Sequence, residues 1–341
     1  MAEVNSVFDR DKRGEWQPSK LPTPSEAFKR PLKLGPILKA LFGRDEVIWP
    51  QNTLYMALAV VSWLYLTPEQ SRTNSFALGW IAEIYVRNAT VLLLIAGSLH
   101  LRLYVQKSQG QRHKFNHRWL STRNRAFLFG NQTWDNIFWN FVSGCTIWSG
   151  FEAVTLWAYS NNMLLWDVKW HTNPIYCTLL MVGVIFLRVL HFYWTHRITH
   201  WKPLYKAAHY VHHKNVNVGP WSGLAMHPIE HLFYFSGVFI HWILPSHPIH
   251  AIFHLMHAGL SPANGHSGFD QIEVNNQPAI KSGDYFHYLH HRYFDCNYGV
   301  PMIPLDQWFG SFHDGSPEAH KAMRARQRRL KLGNQKTSSK H

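Results

Sequence analysis

Long apolar stretches alternate with polar ones over the first 200 residues of the chain. Four of them are long and apolar enough to cross a bilayer as helices, which takes about 20 residues. They are Trp49–Leu66, Phe76–Leu101, Asn136–Tyr159 and Ile175–Phe192. Tryptophan and tyrosine are frequent at their ends, as in helices that end at a membrane interface. The pattern predicts about four transmembrane helices.

A fifth apolar stretch, 232–260, is interrupted by "LPSHP" at 244–248. Each half is too short to cross a bilayer alone. We expect a re-entrant helical hairpin that dips into one leaflet, or a buried pair of helices. The second long stretch contains Glu83 and Arg87, which are four residues apart and would lie on one helical face, where they could pair.

The distribution of basic residues predicts the orientation. The chain has 34 Lys and Arg against 20 Asp and Glu, a net charge of +14. The arm 1–46 and the loop 102–135 carry many of the basic residues, whereas the loops 67–75 and 160–174 carry one each. The positive-inside rule then places the arm, the loop 102–135 and, after four crossings, residue 196 in the cytoplasm. The tail from 316 is also basic. Its charge could serve solubility or contact with anionic lipids equally well, and no nucleic-acid module accompanies it.

Other features of the composition narrow the class of protein. The mean hydropathy of −0.23 argues against a transporter of a dozen spans. Three cysteines without a CxxC motif argue against a disulfide framework or a cysteine zinc finger and fit a reducing compartment. The polar N-terminus predicts no secretory signal.

Histidine is the most informative residue type, with 24 in the chain. "HRITH" (196–200) places two histidines one helical turn apart, and "HYVHH" (209–213) and "HYLHH" (287–291) share the pattern HxxHH. On a helix, one HxxHH box would offer three ring nitrogens to a common volume. Eight imidazoles are too many for one ion, so the boxes predict two metal ions. All-histidine ligation without Glu-x-x-His motifs suits redox iron with open positions for O2, although zinc could occupy the site in purified protein.

These motifs resemble the histidine boxes of the fatty acid hydroxylase and sterol desaturase superfamily. The resemblance covers residues 175–315 and includes "MHPIEH" (226–231), "HSGFD" (266–270), "HYLHHRYFDCNYG" (287–299) and "PLDQWFGSF" (304–312). It implies an integral membrane enzyme with two non-haem irons that uses O2 and external electrons to hydroxylate or desaturate a lipid. No flavin, dinucleotide or haem module is visible, so the electrons are expected from a separate protein, a cytochrome b5-like protein or a ferredoxin with its reductase.

The resemblance also implies a set of site residues. The metal ligands would be His196, His200, His209, His212, His213, His266, His287, His290 and His291, with His257 and His227 as candidates for the remainder. Asp306 and Asn297 would hold imidazole tautomers through the second ring nitrogen. Asp270 and Glu230 are weaker candidates for that role.

We therefore expect an all-α integral membrane helical bundle, with about four spans, a re-entrant hairpin and a cytosolic helical cap that carries the boxes. The predicted divisions are a polar N-terminal arm (1–46), transmembrane helices (47–195), a histidine-box catalytic region (196–315) and a basic C-terminal tail (316–341). The active site would face the cytosol, at the endoplasmic reticulum of a eukaryote or the inner membrane of a bacterium.

Several alternatives stay open on the sequence. The lipid could be a sterol ring or methyl group, a fatty acyl chain or the head group of an amino-lipid, with "HSGFD" and "FDCNYG" favouring the sterol-type branch. A membrane metal transporter or sensor without oxidase chemistry is the main rival, but its polar ligands would be expected inside the spans. A hydrolase is disfavoured because no GxSxG motif is present.

Overall fold

The computed structural model describes residues 10, 14, 16–18, 20–23, 25–164 and 168–338, with side chains as far as residue 329. The α-helices are α1 (Leu34–Phe42), α2 (Gln51–Val61), α3 (Gln70–Thr73), α4 (Leu78–His100), α5 (Gln132–Phe138), α6 (Thr146–Ser160), α7 (Pro174–Thr199), α8 (Lys202–Leu204), α9 (Tyr210–His213), α10 (Pro228–Phe235), α11 (Pro248–Gly265), α12 (Tyr285–Tyr293), α13 (Leu305–Trp308) and α14 (Pro317–Ser338). The π-helical segments are Ser62–Leu66, Leu101–Val105, Trp139–Cys145 and Tyr205–His209. The 3-10 turns are Glu26–Phe28, Leu128–Gly130, Pro220–Leu224 and Ser236–Trp242. The strands β1 (Gln271–Val274) and β2 (Gln277–Lys281) form an antiparallel pair.

All four predicted transmembrane stretches are helical. Two helices of the described chain are long and apolar enough to cross a membrane, Leu78–Val105 with a mean hydropathy of 1.4 and Pro174–Thr199 with 2.0. The first stretch forms the shorter α2 with its π-helical extension, and the third lies in the continuous helix from α5 to α6. The helical character is therefore confirmed, whereas the number of crossings stays a prediction.

The interrupted stretch 232–260 forms two helical arms on either side of "LPSHP". The second arm, α11, is buried along most of its length and packs against α2, α4, α6 and α7. Gly259 allows this central position, because a Cβ there would lie 2.4 Å from the Trp148 ring of α6. The first arm is partly exposed, with Leu232 52% and Ile243 65% exposed. The stretch is thus a pair of helices of which the second is buried, and the choice between a re-entrant hairpin and a buried pair stays a prediction.

The predicted pairing of Glu83 with Arg87 is wrong. Arg87 is buried and forms an ion pair with Glu152 of α6, while Glu83 pairs with Arg72 at the surface, with 2.7 Å between nitrogen and oxygen. Asn88 donates to Glu152 at 3.1 Å and completes the buried group. The sequence spacing favoured a local partner, but packing of α4 on α6 supplies a fully buried carboxylate instead.

The histidine boxes meet at one end of the bundle. α7 ends at Thr199, the short helices α8 and α9 follow, and α12 packs beside them. The N-terminal arm reaches the same end, where the Trp16 ring contacts Phe115 and Tyr285 at centroid distances of 5.6 and 5.7 Å. The strand pair between His266 and His287 departs from the all-α prediction, since its polar, Asn-rich sequence gave no strand signal.

Candidate metal centre

Nine histidines converge in two neighbouring groups. Group one consists of His196, His200, His209, His213 and His290, and group two of His212, His266, His287 and His291. Within each group, one ring nitrogen of every residue lies within 4.8 Å of the others. The structure therefore brings together all nine ligands of the predicted boxes.

Each HxxHH box is divided between the groups. The first box gives His209 and His213 to group one and His212 to group two, and the second gives His287 and His291 to group two and His290 to group one. Residues i and i+4 of a helix share a face, whereas i+3 points about 100° away from i+4. The expectation that one box serves a single volume is thus replaced by a reciprocal exchange, in which two helices each contribute to both groups.

The contacts of His200 Nε2 in group one match those expected of ligands around a cation. Its Nε2 lies 3.0 Å from Nε2 of His209, 3.1 Å from that of His213 and 3.2 Å from that of His290. One imidazole nitrogen has either one proton or one lone pair, so it can make one hydrogen bond of this kind. Three such contacts at one atom are explained by lone pairs directed at a shared positive ion.

The same distances fit a coordination number above four. Two nitrogens at about 2.1 Å from a metal lie about 3.0 Å apart at a right angle and about 3.4 Å apart at a tetrahedral angle. The observed separations of 3.0–3.2 Å in group one match the first value. Four imidazoles at such spacing, with His196 as a fifth member of the group, suit a five- or six-coordinate first-row metal better than tetrahedral zinc.

Group two has the same spacing and lies beside group one. His266 Nε2 is 3.1 Å from Nε2 of both His287 and His291. Across the groups, the rings of His213 and His291 lie 5.0 Å apart by their centroids. Two ions held by the two groups would therefore be close neighbours, and group two, with four imidazoles, leaves room for further ligands.

The histidines are in the protonation state that metals require. Burial lowers the pKa of His209, His213 and His290 well below its usual range, and repulsion from neighbouring imidazoles lowers it further. In group two, burial lowers the pKa of His266 to about 4 and that of the other three well below the usual range. The rings are neutral at neutral pH, which is the form that binds a metal ion.

Hydrogen bonds at Nδ1 fix which ring nitrogen faces the centre. The Nδ1–H of His196 donates to the Tyr298 carbonyl at 2.6 Å, and that of His290 to the Cys296 carbonyl at 2.6 Å. His209 Nδ1 contacts Glu230 Oε1 at 2.7 Å. Such contacts leave the Nε2 lone pair for the metal. Glu230, a weaker candidate on sequence, thus contacts a ligand directly, and the carbonyls were missed because a backbone acceptor has no residue signature.

Asp306 and Asn297 were expected to bond to an imidazole, but both bond to neighbouring backbone groups instead. Asp306 accepts hydrogen bonds from the amides of Tyr298 and Gly299, both at 2.8 Å, and from the Ser311 hydroxyl at 2.6 Å. It therefore holds the loop whose carbonyl contacts His196. Asn297 donates to two backbone carbonyls and accepts from the amide of His313. Both side chains bind loop backbone rather than an imidazole.

The remaining candidates lie outside both groups. His227 caps α10, where its Nδ1 accepts from the amide of Ile229 at 3.2 Å. His257 is buried in α11 with its ring edge against Tyr55. Asp270 joins the strand pair to the loop near His113 through its backbone. The geometry gives none of the three a place among the nine ligands.

Comparison with known proteins agrees with this geometry. A family model described as fatty acid hydroxylase matches residues 180–311. The Delta(7)-sterol-C5(6)-desaturase of Nicotiana tabacum is 33% identical over 162 residues, 46% of this chain and 56% of that protein. The Delta(7)-sterol 5(6)-desaturase of Candida glabrata is 31% identical over 44% of this chain and 40% of its own length. Human lathosterol oxidase is 28% identical over 40% of this chain and 46% of its own length.

The matches are regional, since the chain spans about half of each of these curated relatives. No solved structure matches it. The matched region nevertheless contains all nine histidines of the two groups. The predicted resemblance is thereby confirmed: residues 180–311 match the fatty acid hydroxylase family model, and this region of the chain is similar to sterol desaturases.

Proposed function

We propose that the chain is a membrane-bound non-haem di-iron oxidoreductase that desaturates or hydroxylates a lipid with O2 and external electrons. The observation that carries the proposal is the gathering of nine histidines, eight of them buried, into groups of five and four in which several Nε2 atoms lie 3.0–3.2 Å apart. The similarity of the chain to sterol desaturases and a lathosterol oxidase favours a sterol-like substrate.

The overall reaction needs electrons that the chain does not hold. Desaturation converts two neighbouring C–H bonds, O2, two electrons and two protons into a C=C bond and two waters. Hydroxylation inserts one oxygen atom and releases one water with the same inputs. Bound iron would supply the one-electron chemistry that lets O2 attack an unactivated C–H bond. A separate electron-donor protein is therefore part of the proposal.

The residues around the two groups hold the ligands and exclude water. Nδ1 contacts from Glu230 and two loop carbonyls orient three rings of group one. The Phe192 ring stacks on His196 at a centroid distance of 4.9 Å and lies 6.1 Å from His287. It forms an apolar wall on the α7 side of both groups. A lipid that approaches along α7 would meet this wall beside the metal ions.

The proposed setting is a membrane with the histidine groups at its cytosolic face. The apolar helices Leu78–Val105 and Pro174–Thr199 support membrane association. The division into an arm (1–46), transmembrane helices (47–195), a catalytic region (196–315) and a basic tail (316–341) is part of the same proposal, as are four crossings. The basic arm and the loop 102–135 support the cytosolic orientation.

A lipid mass spectrometry experiment tests the function. Cells that express the full chain should accumulate a lipid that has lost two hydrogens or gained one oxygen, and His290→Ala should abolish this product while the protein stays inserted. His290 contacts two other ligands of group one, so its loss opens the centre. The control is His171→Ala, an exposed histidine outside both groups, and its product level should equal that of the wild type.

Metal analysis distinguishes a di-iron oxidoreductase from a metal transporter or sensor. The wild-type protein should hold two tightly bound irons per chain and consume O2 when reduced. Reversible exchange of a single ion without O2 uptake, or unchanged product in His290→Ala, would refute the di-iron assignment.

A further inference from the structure

Arg188 is a buried cation in the interior of the bundle. It lies in α7 with 5% of its surface exposed. Among the described residues, no carboxylate forms an ion pair with it, whereas the other buried arginine of the bundle, Arg87, has Glu152. A charge in an apolar interior is costly unless it is paired or hydrogen-bonded. Arg188 thus has Tyr234 as a polar neighbour but, among the described residues, no carboxylate that balances its charge.

Aromatic rings cover part of this cation. The guanidinium carbon lies 4.3 Å from the centroid of Tyr234 and 5.0 Å from that of Phe192. Cation–π contacts of this kind stabilise a buried charge only in part, because the ring faces replace few of the lost hydrogen bonds. The Nε–H of Arg188 is buried without a hydrogen-bond partner.

Unpartnered histidine nitrogens lie around Arg188. Nδ1 of His191 and Nε2 of His254 are both buried without a hydrogen-bond partner. A methyl group on Gly237 would lie 3.0 Å from each, so the two nitrogens lie close to each other and against that glycine. Both rings interact electrostatically with Arg188. Buried polar atoms in native proteins are almost always paired, so several orphans together indicate a missing bound group.

The position of this cluster relates it to the metal centre. Arg188, Phe192 and His196 follow one another at intervals of four residues and lie on one face of α7. Arg188 is therefore about 12 Å along the helix axis from the first metal ligand. A molecule held at Arg188 would extend past Phe192 toward both histidine groups.

We propose that Arg188, His191 and His254 form a subsite for an oxygen acceptor, a hydroxyl or a carboxylate, on the lipid substrate. The proposal rests on the proposed function and adds to it the group that anchors the substrate. Arg188 donates hydrogen bonds to the acceptor, and the two imidazoles donate to it or accept from a hydroxyl proton.

Equilibrium binding to the full chain in nanodiscs tests the subsite. The probes are lathosterol and palmitate, each compared with its counterpart without the acceptor, cholest-7-ene and hexadecane. Measurements are made without O2 or reductant, so they report binding alone. At least one acceptor-bearing lipid should bind the wild type tenfold or more tightly than Arg188→Leu, while its counterpart binds both equally.

Two further variants keep the test informative if Arg188→Leu fails to fold. Arg188→Lys retains the charge without the planar fork and should recover part of the affinity. Gly237→Ala places a methyl group 3.0 Å from both nitrogens and should weaken binding of the acceptor-bearing lipid alone. Arg72→Leu, an arginine on the surface, serves as the control and should bind like the wild type.

The outcomes are separable from those of the proposed function. Equal affinity of wild type and Arg188→Leu for both acceptor-bearing lipids would overturn the subsite, as would a wild type that prefers neither lipid over its counterpart; water would then fill the cluster. Acceptor-dependent binding in a protein that forms no oxidised lipid would keep the subsite and refute the oxidoreductase.

Discussion

The second nitrogen of each imidazole decides how well the first can bind a metal. In group one, His196 and His290 bond to backbone carbonyls, whereas His209 contacts the carboxyl of Glu230. A carboxyl partner raises the basicity of the ring more than a carbonyl does. Glu230 is the one member of this outer layer that a side-chain substitution can remove.

Substitution of Glu230 should weaken metal binding in group one selectively. Glu230→Ala leaves the buried Nδ1 of His209 without a partner, and loss of such an outer partner typically weakens metal binding about 10- to 100-fold. Competition with a chelator, followed by iron analysis, measures the effect. The ion in group two should keep its wild-type affinity.

Two further substitutions check this assignment. Glu230→Gln keeps an oxygen that can accept from His209 and should lose less affinity than Glu230→Ala. Glu83→Gln alters a surface carboxylate and should change nothing. An equal loss of affinity at both groups, or no loss in Glu230→Ala, would show that Glu230 does not strengthen metal binding in group one.

The sequence predicted the clustered histidines better than their surroundings. Three spaced motifs named eight of the nine histidines, because imidazole spacing on a helix maps onto a shared volume, and the resemblance added His266. The resemblance also nominated His227 and His257, whose rings serve as a helix cap and as a packing surface. Their neighbours in space, not in sequence, decide these roles.

At the scale of elements, helix periodicity explains why two boxes make two sites. The π-helical segment Tyr205–His209 runs directly into α9, so the first box crosses a change of helical pitch. Its His209 and His213 still meet in group one while His212 turns to group two. Wider turns of this kind are frequent at functional sites. No sequence rule predicts their place.

The loop after α12 is a second element on which the centre depends. Asp306 accepts three hydrogen bonds within it, two from amides. Asp306→Asn replaces one acceptor oxygen by an amide NH2 group, so two donors would face each other. We expect this to lower the free energy of unfolding by about 1–3 kcal/mol. We expect a lower melting temperature and weaker iron binding in group one through the Tyr298 carbonyl. Normal iron binding in a destabilised variant would mean that Asp306 only stabilises the fold.

The ion pair between α4 and α6 makes a prediction about the bundle. The side chains of Arg87 and Glu152 are 4% and 1% exposed. Arg87→Leu should destabilise the protein by about 3–5 kcal/mol, because it leaves a buried carboxylate without its partner. Thermal unfolding in detergent measures this, and Arg87→Met combined with Glu152→Leu should recover much of the loss. Arg72→Leu, at the surface, should have little effect; a similar loss in both single variants would contradict the assignment.

Helices were predictable from apolar runs, but their partners were not. The four long stretches and both arms of the interrupted one are helical, since each supplies a continuous apolar face. Which helix is central depends on close contacts such as Gly259 against Trp148. The strand pair 271–281 arose where the sequence is short, polar and rich in turn residues, for which local patterns carry little information.

For the whole molecule, the two ends of the bundle differ in chemistry. The histidine groups, the arm around Trp16 and the loop around Phe115 share one end. At the other end, the loops 67–75 and 160–174 meet, as Asn161 donates to the Asn74 carbonyl at 3.0 Å. The first end is rich in Lys and Arg and the second has one such residue in each loop. This asymmetry favours a cytosolic metal centre.

Labelling of single introduced cysteines decides the number of crossings. The three native cysteines are buried, so a membrane-impermeant maleimide should label only the new ones, at Lys20, Ser71, Ser108 or His171, all exposed positions. Four crossings predict labelling in intact cells at 71 and 171 and protection at 20 and 108. If only Leu78–Val105 and Pro174–Thr199 cross, position 20 lies on the same side of the membrane as 71, and position 171 on the same side as 108. Equal labelling of 108 and 171 would therefore remove the crossing by α5–α6, and equal labelling of 20 and 71 would remove the crossing by α2.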